Sequence, residues 1–218
     1  MSQKSLTSFL FDMDGTLVDS AAGLAGAVND VRASFGFPPL PADFREAASE
    51  GSAALLRVGF GVTPENPRYP SLRESFFTAY EARCRKPTLF PGVTELLAAI
   101  DRKGLVWGIV TNKPQEFAEA IAASTPAMAR CAIVVGSRPG VPLKPAPDGI
   151  LRALKELALK PEQTLYTGDD RRDIEAGKAA GTSTLLALWG YRPKDADTSL
   201  WAPDFTASSP EDIIRLLP

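Results

Sequence analysis

The chain has 218 residues, of which 44% are hydrophobic and 23% charged, with a formal net charge of −2. This composition is typical of a globular protein large enough to bury a core, as one domain or as a core plus a smaller unit. It gives no reason to expect a nucleic-acid partner, and no apolar run approaches the ~20 residues of a membrane span. The first residues lack the features of a signal peptide, so we expect a cytoplasmic protein.

The sequence contains no histidine. This excludes Ser-His-Asp and Cys-His catalysis, histidine phosphoenzymes and HExxH zinc sites. The two cysteines, Cys84 and Cys131, lack a CxxC spacing, which argues against a disulfide scaffold or a zinc centre. Any catalytic chemistry must therefore rest on carboxylates, lysine, hydroxyls or a hard metal ion.

The first predicted element is a buried strand that ends in two carboxylates. An apolar run over 6–11 leads into Asp12 and Asp14, and Gly15 then breaks the pattern. Carboxylates this close repel each other unless a cation joins them or one of them is protonated. The alternative is that they only cap the following helix, where Asp is common.

A helical region follows the first strand. Residues 21–37 repeat apolar side chains every three or four positions, which predicts an amphipathic helix. Further helices are predicted over 43–48, 52–60 and 72–85. We expect no strand between residues 21 and 85.

From Pro91 onwards, predicted strands and helices alternate. The strands are at 105–111, 131–136, 164–168 and 183–188, and the helices at 93–103, 114–124, 147–159, 173–180 and 210–217. This alternation predicts parallel strands joined by right-handed crossovers, that is, a doubly wound α/β sheet. Ligands of such sheets lie beyond the carboxyl ends of the strands.

Polar residues stand at four of these predicted strand ends. They are Asp12, the Thr111-Asn112 pair, Lys144, and the group Asp169, Asp170 and Asp173. Each has a plain structural interpretation as a helix cap, a solvated lysine or a partner of a helix dipole. Together they predict one polar rim that contains a nucleophile candidate, a hydroxyl, an ammonium group and an acidic cluster.

The same residues resemble the four motifs of the haloacid dehalogenase superfamily. The motifs are DMDGTLVDS at 12–20, Thr111, Lys144-Pro145 and GDDRRDIEAGKAAG at 168–181. The resemblance implies a Rossmann-like core over 1–15 and 89–218 with an inserted helical cap over 16–88.

The phosphoglycolate phosphatase-like branch of that superfamily is the most similar. It is suggested by VTNK at 110–113, LKPAPDG at 143–149, WGYRP at 189–193 and the cap segment GSAALLRVGFG at 51–61. Dehalogenating members have a different residue at the position of Asp14, so a phosphatase is expected. Asp170 departs from the Ser or Thr usual there and adds negative charge.

The resemblance also implies roles for the rim residues. Asp12 would be the nucleophile and Asp14 the acid and then the base. Thr111, Asn112 and Lys144 would bind phosphate, and Lys144 would also keep the pKa of Asp12 low. Mg²⁺ would be held by Asp12, the backbone carbonyl of Asp14, Asp169 and, through water, Asp173. These roles are expectations from the family.

The cap is expected to select the substrate. Glu50, Gly51 and Ser52 form the strongest candidate, because a glycine lets backbone approach a ligand. Arg57 is most simply a solvated helix residue. Arg171 and Arg172 are both expected on the surface.

The leading hypothesis is an Mg²⁺-dependent hydrolase of a small-molecule phosphate ester, with 2-phosphoglycolate as first candidate. The alternatives are a sugar-phosphate phosphomutase, a pyrophosphatase or nucleotidase of the same superfamily, and a non-catalytic phosphate-binding protein. The last of these should have lost the nucleophile or the lysine, and both are present. We expect a monomer or a homodimer.

Overall fold

A computed structural model describes residues 6–40, 45–192 and 196–218 of the chain. At its centre is a sheet of six parallel strands in the order β3-β2-β1-β4-β5-β6. The strands are β1 (Ser8–Phe11), β2 (Val106–Pro114), β3 (Val134–Ser137), β4 (Thr164–Gly168), β5 (Ser183–Ala187) and β6 (Phe205–Ala207). The predicted doubly wound α/β fold is confirmed.

Helices precede, cover and follow the strands. They are α1 (Ala21–Ser34), α2 (Arg45–Glu50), α3 (Ser52–Phe60), α4 (Tyr69–Cys84), α5 (Val93–Arg102), α6 (Gln115–Ser124), α7 (Asp148–Glu156), α8 (Arg171–Ala179) and α9 (Pro210–Ile214). Within the described ranges, none of these helices is long and apolar enough to cross a membrane.

The two faces of the sheet bury two separate apolar clusters. On β1, Phe9 and Phe11 belong to the larger cluster, which also contains side chains of α5, α6 and the helices α1–α4. Leu10 points to the opposite face and packs with residues of α7 and α8, such as Ile150 and Ala176. All four residues of β1 are buried, which is expected for a central parallel strand.

Helices α1–α4 form an insertion between β1 and α5. Its two connections pair with each other: the Asp19 N–H donates to the Thr88 carbonyl (2.8 Å), and the Phe90 N–H donates to the Leu17 carbonyl (3.1 Å). Helix α4 packs on α6, where the ring centres of Phe77 and Phe117 are 5.2 Å apart. That residues 16–88 behave as a separable cap stays a prediction.

The predicted helices and strands agree closely with the observed ones where the hydrophobic pattern of the sequence was strong. Strand 164–168 and helix 52–60 have the predicted bounds. The edge strand β6 was missed, because three residues at a sheet edge are too few to show an alternating pattern. The helix predicted over 43–48 is α2, displaced towards the C-terminus, and residues 41–44 lie outside the described ranges.

We predict that Leu10→Ala lowers the free energy of unfolding by about 2–5 kcal/mol, because it leaves a cavity at a fully buried position in the central strand. Urea denaturation followed by circular dichroism measures the change. Leu200, which is 80% exposed, is the control, and Leu200→Ala should change the free energy by no more than about 0.5 kcal/mol. Equally small effects of both substitutions would contradict this placement of Leu10.

Candidate active site

The carboxyl ends of neighbouring strands bring the predicted site residues to one edge of the sheet. In the register of β1, Phe11 lies beside Ile109 of β2 and Thr167 of β4. The next residues along these strands therefore project from the same edge, beneath the helical insertion. A cavity of about 320 Å³ lies there. Its lining includes every residue predicted for the site, namely Asp12, Asp14, Glu50, Gly51, Ser52, Thr111, Asn112, Lys144, Asp169 and Asp173.

Three buried carboxylates form the floor of this cavity. Asp12, Asp169 and Asp173 each offer an oxygen that lies within 4.8 Å of the other two. The Lys144 ammonium stands among them, 2.7 Å from Asp12 Oδ1 and 2.6 Å from Asp173 Oδ1. One ammonium group thus contacts two of the three buried carboxylates.

The charge on Asp12 is not fully compensated by this lysine. Burial raises the pKa of Asp12 to about 6, although the ammonium of Lys144 opposes that rise. The expectation that Lys144 keeps the pKa of Asp12 low is therefore wrong, since the cost of burying the carboxylate exceeds the attraction of the lysine. The pKa of Lys144 itself lies well above its ordinary value, because Asp12 and Asp173 outweigh the effect of burial.

Asp169 is fixed by contacts from distant parts of the chain. Its Oδ1 accepts a hydrogen bond from the Thr16 hydroxyl (3.2 Å), and its Oδ2 accepts one from the Tyr191 N–H (2.7 Å). Gly15, with φ +84°, lies so close that a Cβ there would overlap this carboxylate. Burial, and then the charges of Asp173 and Asp12, raise the pKa of Asp169 well above its ordinary value.

Asp173 is committed to bonds within the protein. Its Oδ1 pairs with Lys144 and lies 3.2 Å from the Tyr166 hydroxyl, and its Oδ2 accepts from the Asp170 N–H (3.0 Å). Asp12 differs, because the contact of its carboxylate is the one between Oδ1 and the Lys144 ammonium, 2.7 Å away.

The cluster has the properties that a divalent cation requires. It offers carboxylate oxygens from Asp12, Asp169 and Asp173, and burial together with neighbouring carboxylates raises the pKa values of Asp12 and Asp169. A cation held there would relieve the mutual repulsion of these groups. The residues present therefore fit a metal ion.

Asp14 stands apart from this cluster and pairs with a lysine that the sequence analysis did not single out. Lys113 is buried, and its Nζ lies 2.7 Å from Asp14 Oδ2 and 4.8 Å from the ring centre of Tyr80. The other Asp14 oxygen is buried without a hydrogen-bond partner among the described residues. Lys113 follows Thr111 by two residues in β2, so the period of a strand could have pointed to it.

Asn112 shapes the loop that carries the other lysine. Its side-chain amide accepts from the Lys144 N–H (2.9 Å) and donates to the Lys144 carbonyl (3.1 Å). Thr111 is buried beside it, and its hydroxyl oxygen accepts a longer bond from the Lys113 N–H (3.3 Å). Asn112 thus positions the backbone of Lys144, while Thr111 faces the cavity.

A polar contact ties the insertion to the loop after β4. The Arg172 guanidinium makes two hydrogen bonds to the Asp170 carboxylate (2.7 and 3.0 Å) and one to the Ser49 carbonyl (2.7 Å). The Ser49 hydroxyl donates to Asp170 as well (2.9 Å). Although burial opposes it, Arg172 holds the pKa of Asp170 below its usual range.

Arg172 is therefore not the surface residue expected from the sequence, since it lines the cavity and bridges the insertion to the core. The negative charge that Asp170 adds pairs with Arg172 in this contact. Arg57, in contrast, forms an exposed ion pair with Glu50 and stays a solvated helix residue. Gly51 has φ +87°, a conformation that suits glycine, at the start of α3.

Comparisons with known proteins agree with this geometry. A model of the haloacid dehalogenase-like hydrolase family matches residues 9–187. The N-acetylmuramic acid 6-phosphate phosphatase of Pseudomonas aeruginosa is 36% identical over 221 residues, which cover 100% of this chain and 97% of that protein. The phosphoglycolate phosphatase of Xanthomonas campestris is 38% identical over 206 residues, with 94% and 93% coverage.

Solved structures show the same fold. A hydrolase of the haloacid dehalogenase-like family from Streptococcus pneumoniae superposes with a TM-score of 0.81 at 26% identity, and the match covers 98% of this chain and 99% of that one.

We predict that Asp12→Asn changes the pH dependence of stability in a chelating buffer. The pKa of Asp12 rises from 3.8 to about 6 on folding, so the native state binds the extra proton between these values. The free energy of unfolding of the unaltered protein should then fall as pH rises from about 4 to 6, by up to about 3 kcal/mol. Asn cannot ionise, so the variant should lack this part of the fall.

Urea denaturation at a series of pH values measures the effect. Asp148→Asn, at an exposed position in the first turn of α7, is the matched control and should follow the unaltered protein. Parallel pH profiles for Asp12→Asn and the unaltered protein would show that burial does not raise this pKa.

Proposed function

The chain belongs to the haloacid dehalogenase-like hydrolase family, and we propose that it is an Mg²⁺-dependent phosphatase that cleaves phosphate monoesters through an aspartyl-phosphate intermediate. The observation that carries this proposal is the grouping of Asp12 with Asp169, Asp173 and Lys144 at the carboxyl end of the sheet. The named phosphatases among its relatives support phosphoric monoester hydrolysis as the class of reaction.

In the proposed mechanism, Asp12 attacks phosphorus and displaces the alcohol. An Asp12 oxygen forms the new bond to phosphorus, and the bond to the ester oxygen breaks. The Lys144 ammonium occupies Asp12 Oδ1 at 2.7 Å, so the other carboxylate oxygen is the one proposed to attack. Water then cleaves the aspartyl phosphate and releases inorganic phosphate, which restores Asp12.

Asp14 is the proposed acid and base. Lys113 holds its Oδ2, so the other oxygen is the one free to give a proton to the leaving alcohol. After the alcohol departs, the same oxygen can take a proton from the attacking water. The lysine thus fixes which oxygen reacts, and the aromatic ring of Tyr80 shields this pair from one side.

The remaining rim residues bind the charge of the phosphoryl group. Lys144 and the Thr111 hydroxyl are proposed to contact its oxygens, and Asn112 supplies a backbone N–H and orients Lys144. Mg²⁺, held by Asp12, the Asp14 carbonyl and Asp169, would neutralise charge on the phosphoryl group. Asp173 would act mainly by holding Lys144, because both of its oxygens are already engaged.

Two substrates are candidates. 2-Phosphoglycolate is suggested by the Xanthomonas relative, and N-acetylmuramic acid 6-phosphate by the Pseudomonas relative. The cavity of about 320 Å³ is within the range of sites for ligands far larger than a two-carbon acid, which favours the second candidate. Glu50, Gly51 and Ser52 line the far wall and are proposed to contribute to the choice.

A monomer or homodimer, and a cytoplasmic location, stay predictions from the sequence.

We predict that Asp12→Asn abolishes turnover, because an amide is too weak a nucleophile to form the acyl phosphate. Release of inorganic phosphate from a panel of esters should fall by at least about a thousandfold. Circular dichroism checks that the variant is folded, and Asp148→Asn should keep full activity. Near-normal phosphate release by folded Asp12→Asn would remove the covalent mechanism. Conversion of sugar phosphates into isomers without phosphate release would indicate a mutase.

We also predict that hydrolysis stops in excess chelator and returns with Mg²⁺. Asp169→Asn should weaken Mg²⁺ affinity by at least about tenfold, and by more than Asp173→Asn does, because only Asp169 is proposed as a direct ligand. The shift of the thermal midpoint with Mg²⁺ concentration measures affinity without activity. Asp170→Asn is the control, since Arg172 occupies that carboxylate. Unchanged activity in chelator would contradict the metal assignment.

A further inference from the structure

We propose that Arg73 of α4 is a specificity-determining residue that binds a second anionic group of the substrate, a carboxylate separated from the phosphate by several atoms. This inference rests on the proposed phosphatase function and adds the class of ester that the site prefers.

The charges in the cavity single out Arg73. Among the described residues, four cationic side chains line it, namely Arg73, Lys113, Lys144 and Arg172. Three of them are neutralised by carboxylates of the protein: Lys113 by Asp14, Lys144 by Asp12 and Asp173, and Arg172 by Asp170.

The side chain of Arg73 makes no ion pair and no hydrogen bond with any residue in the described ranges 6–40, 45–192 and 196–218. Its guanidinium carbon instead lies 4.6 Å from the ring centre of Phe77. Stacking on an aromatic face leaves the edge of the guanidinium free, and this edge carries the N–H groups that bind a carboxylate in a bidentate manner.

Phe77, on which the Arg73 guanidinium lies, belongs to a cluster of aromatic rings. Phe77 stacks on Phe117 (5.2 Å), and Tyr80 contacts Phe117 edge-on (5.6 Å). Phe76 lines the same cavity. The part of the substrate between its two anionic ends would therefore pack on aromatic surface, which suits a carbon chain or a sugar ring.

The position of Arg73 on α4 indicates how far the second anionic group of the substrate lies from the phosphate. Tyr80 marks the phosphate end, because its ring lies 4.8 Å from Lys113 Nζ, the partner of Asp14. Arg73 is seven residues away on α4, so the two Cα atoms are about 10 Å apart along the helix axis. In 2-phosphoglycolate only an oxygen and a methylene separate phosphorus from the carboxyl carbon. This spacing favours an acid longer than 2-phosphoglycolate.

Two matched pairs of substrates test this. 6-Phosphogluconate and sorbitol 6-phosphate differ only in a carboxylate or a hydroxymethyl group at C1, far from the phosphate. 2-Phosphoglycolate and 2-hydroxyethyl phosphate differ in the same way next to the phosphate. The kcat/KM for phosphate release is measured for all four, with Mg²⁺ present.

Arg73→Gln should lower kcat/KM for 6-phosphogluconate by about tenfold, the effect of losing one charged hydrogen-bonded contact. The change should appear mainly in KM, because the contact is remote from the reacting atoms. Activity on sorbitol 6-phosphate and on both two-carbon esters should stay within about twofold. Arg73→Lys should recover part of the loss, since it retains the charge.

Arg85→Gln is the matched control. Arg85 follows α4, is exposed, pairs with Glu81 and does not line this cavity. Its replacement should leave the four kcat/KM values in the same proportion.

Three outcomes would overturn the inference. They are an equal loss on both members of the six-carbon pair, no loss on either, and a loss on 2-phosphoglycolate as large as that on 6-phosphogluconate. Failure of the proposed function is a separate result, because the unaltered protein would then release no phosphate from any of the four esters.

Discussion

The structure depends on one ammonium group set among carboxylates that would otherwise repel one another. Lys144 lies within 2.7 Å of an oxygen of both Asp12 and Asp173, and all three side chains are buried. Its position is fixed by Asn112, which bonds both backbone groups of the lysine. The lysine does not balance Asp169 as well, and this excess of negative charge would favour a bound cation.

The same excess has a cost in stability. Burial raises the pKa values of Asp12 and Asp169, so ionising them near neutral pH opposes folding. The surrounding structure offsets part of this by fixing Asp169 with the Thr16 hydroxyl and the Tyr191 N–H. Such a site is suited to a positively charged ligand. Without that ligand, the repulsion between its carboxylates destabilises the fold.

The helical insertion closes the cavity with two different kinds of contact. On one side, aromatic rings of α4 pack on Phe117 of α6. On the other, Arg172 and Asp170 bind the backbone and hydroxyl of Ser49. The aromatic contact is insensitive to charge, whereas the polar one lies beside the acidic cluster. The proposed substrate contact, Arg73, stands on the aromatic side, away from the reacting groups, where it can select without altering the chemistry.

The sequence by itself determined the parallel sheet and the rim at its carboxyl end. Alternating strand and helix patterns imply a parallel sheet. Whatever path the connections take, such a sheet brings Asp12, Lys144 and Asp169 together at its carboxyl end. Only the tertiary structure decided which side chains contact one another. Nothing local reveals that Arg172 reaches Ser49, 123 residues away, or that the Arg73 guanidinium forms no ion pair with any residue that the structure describes. Burial is also the largest cause of the raised pKa of Asp12, and desolvation depends on everything packed around a group.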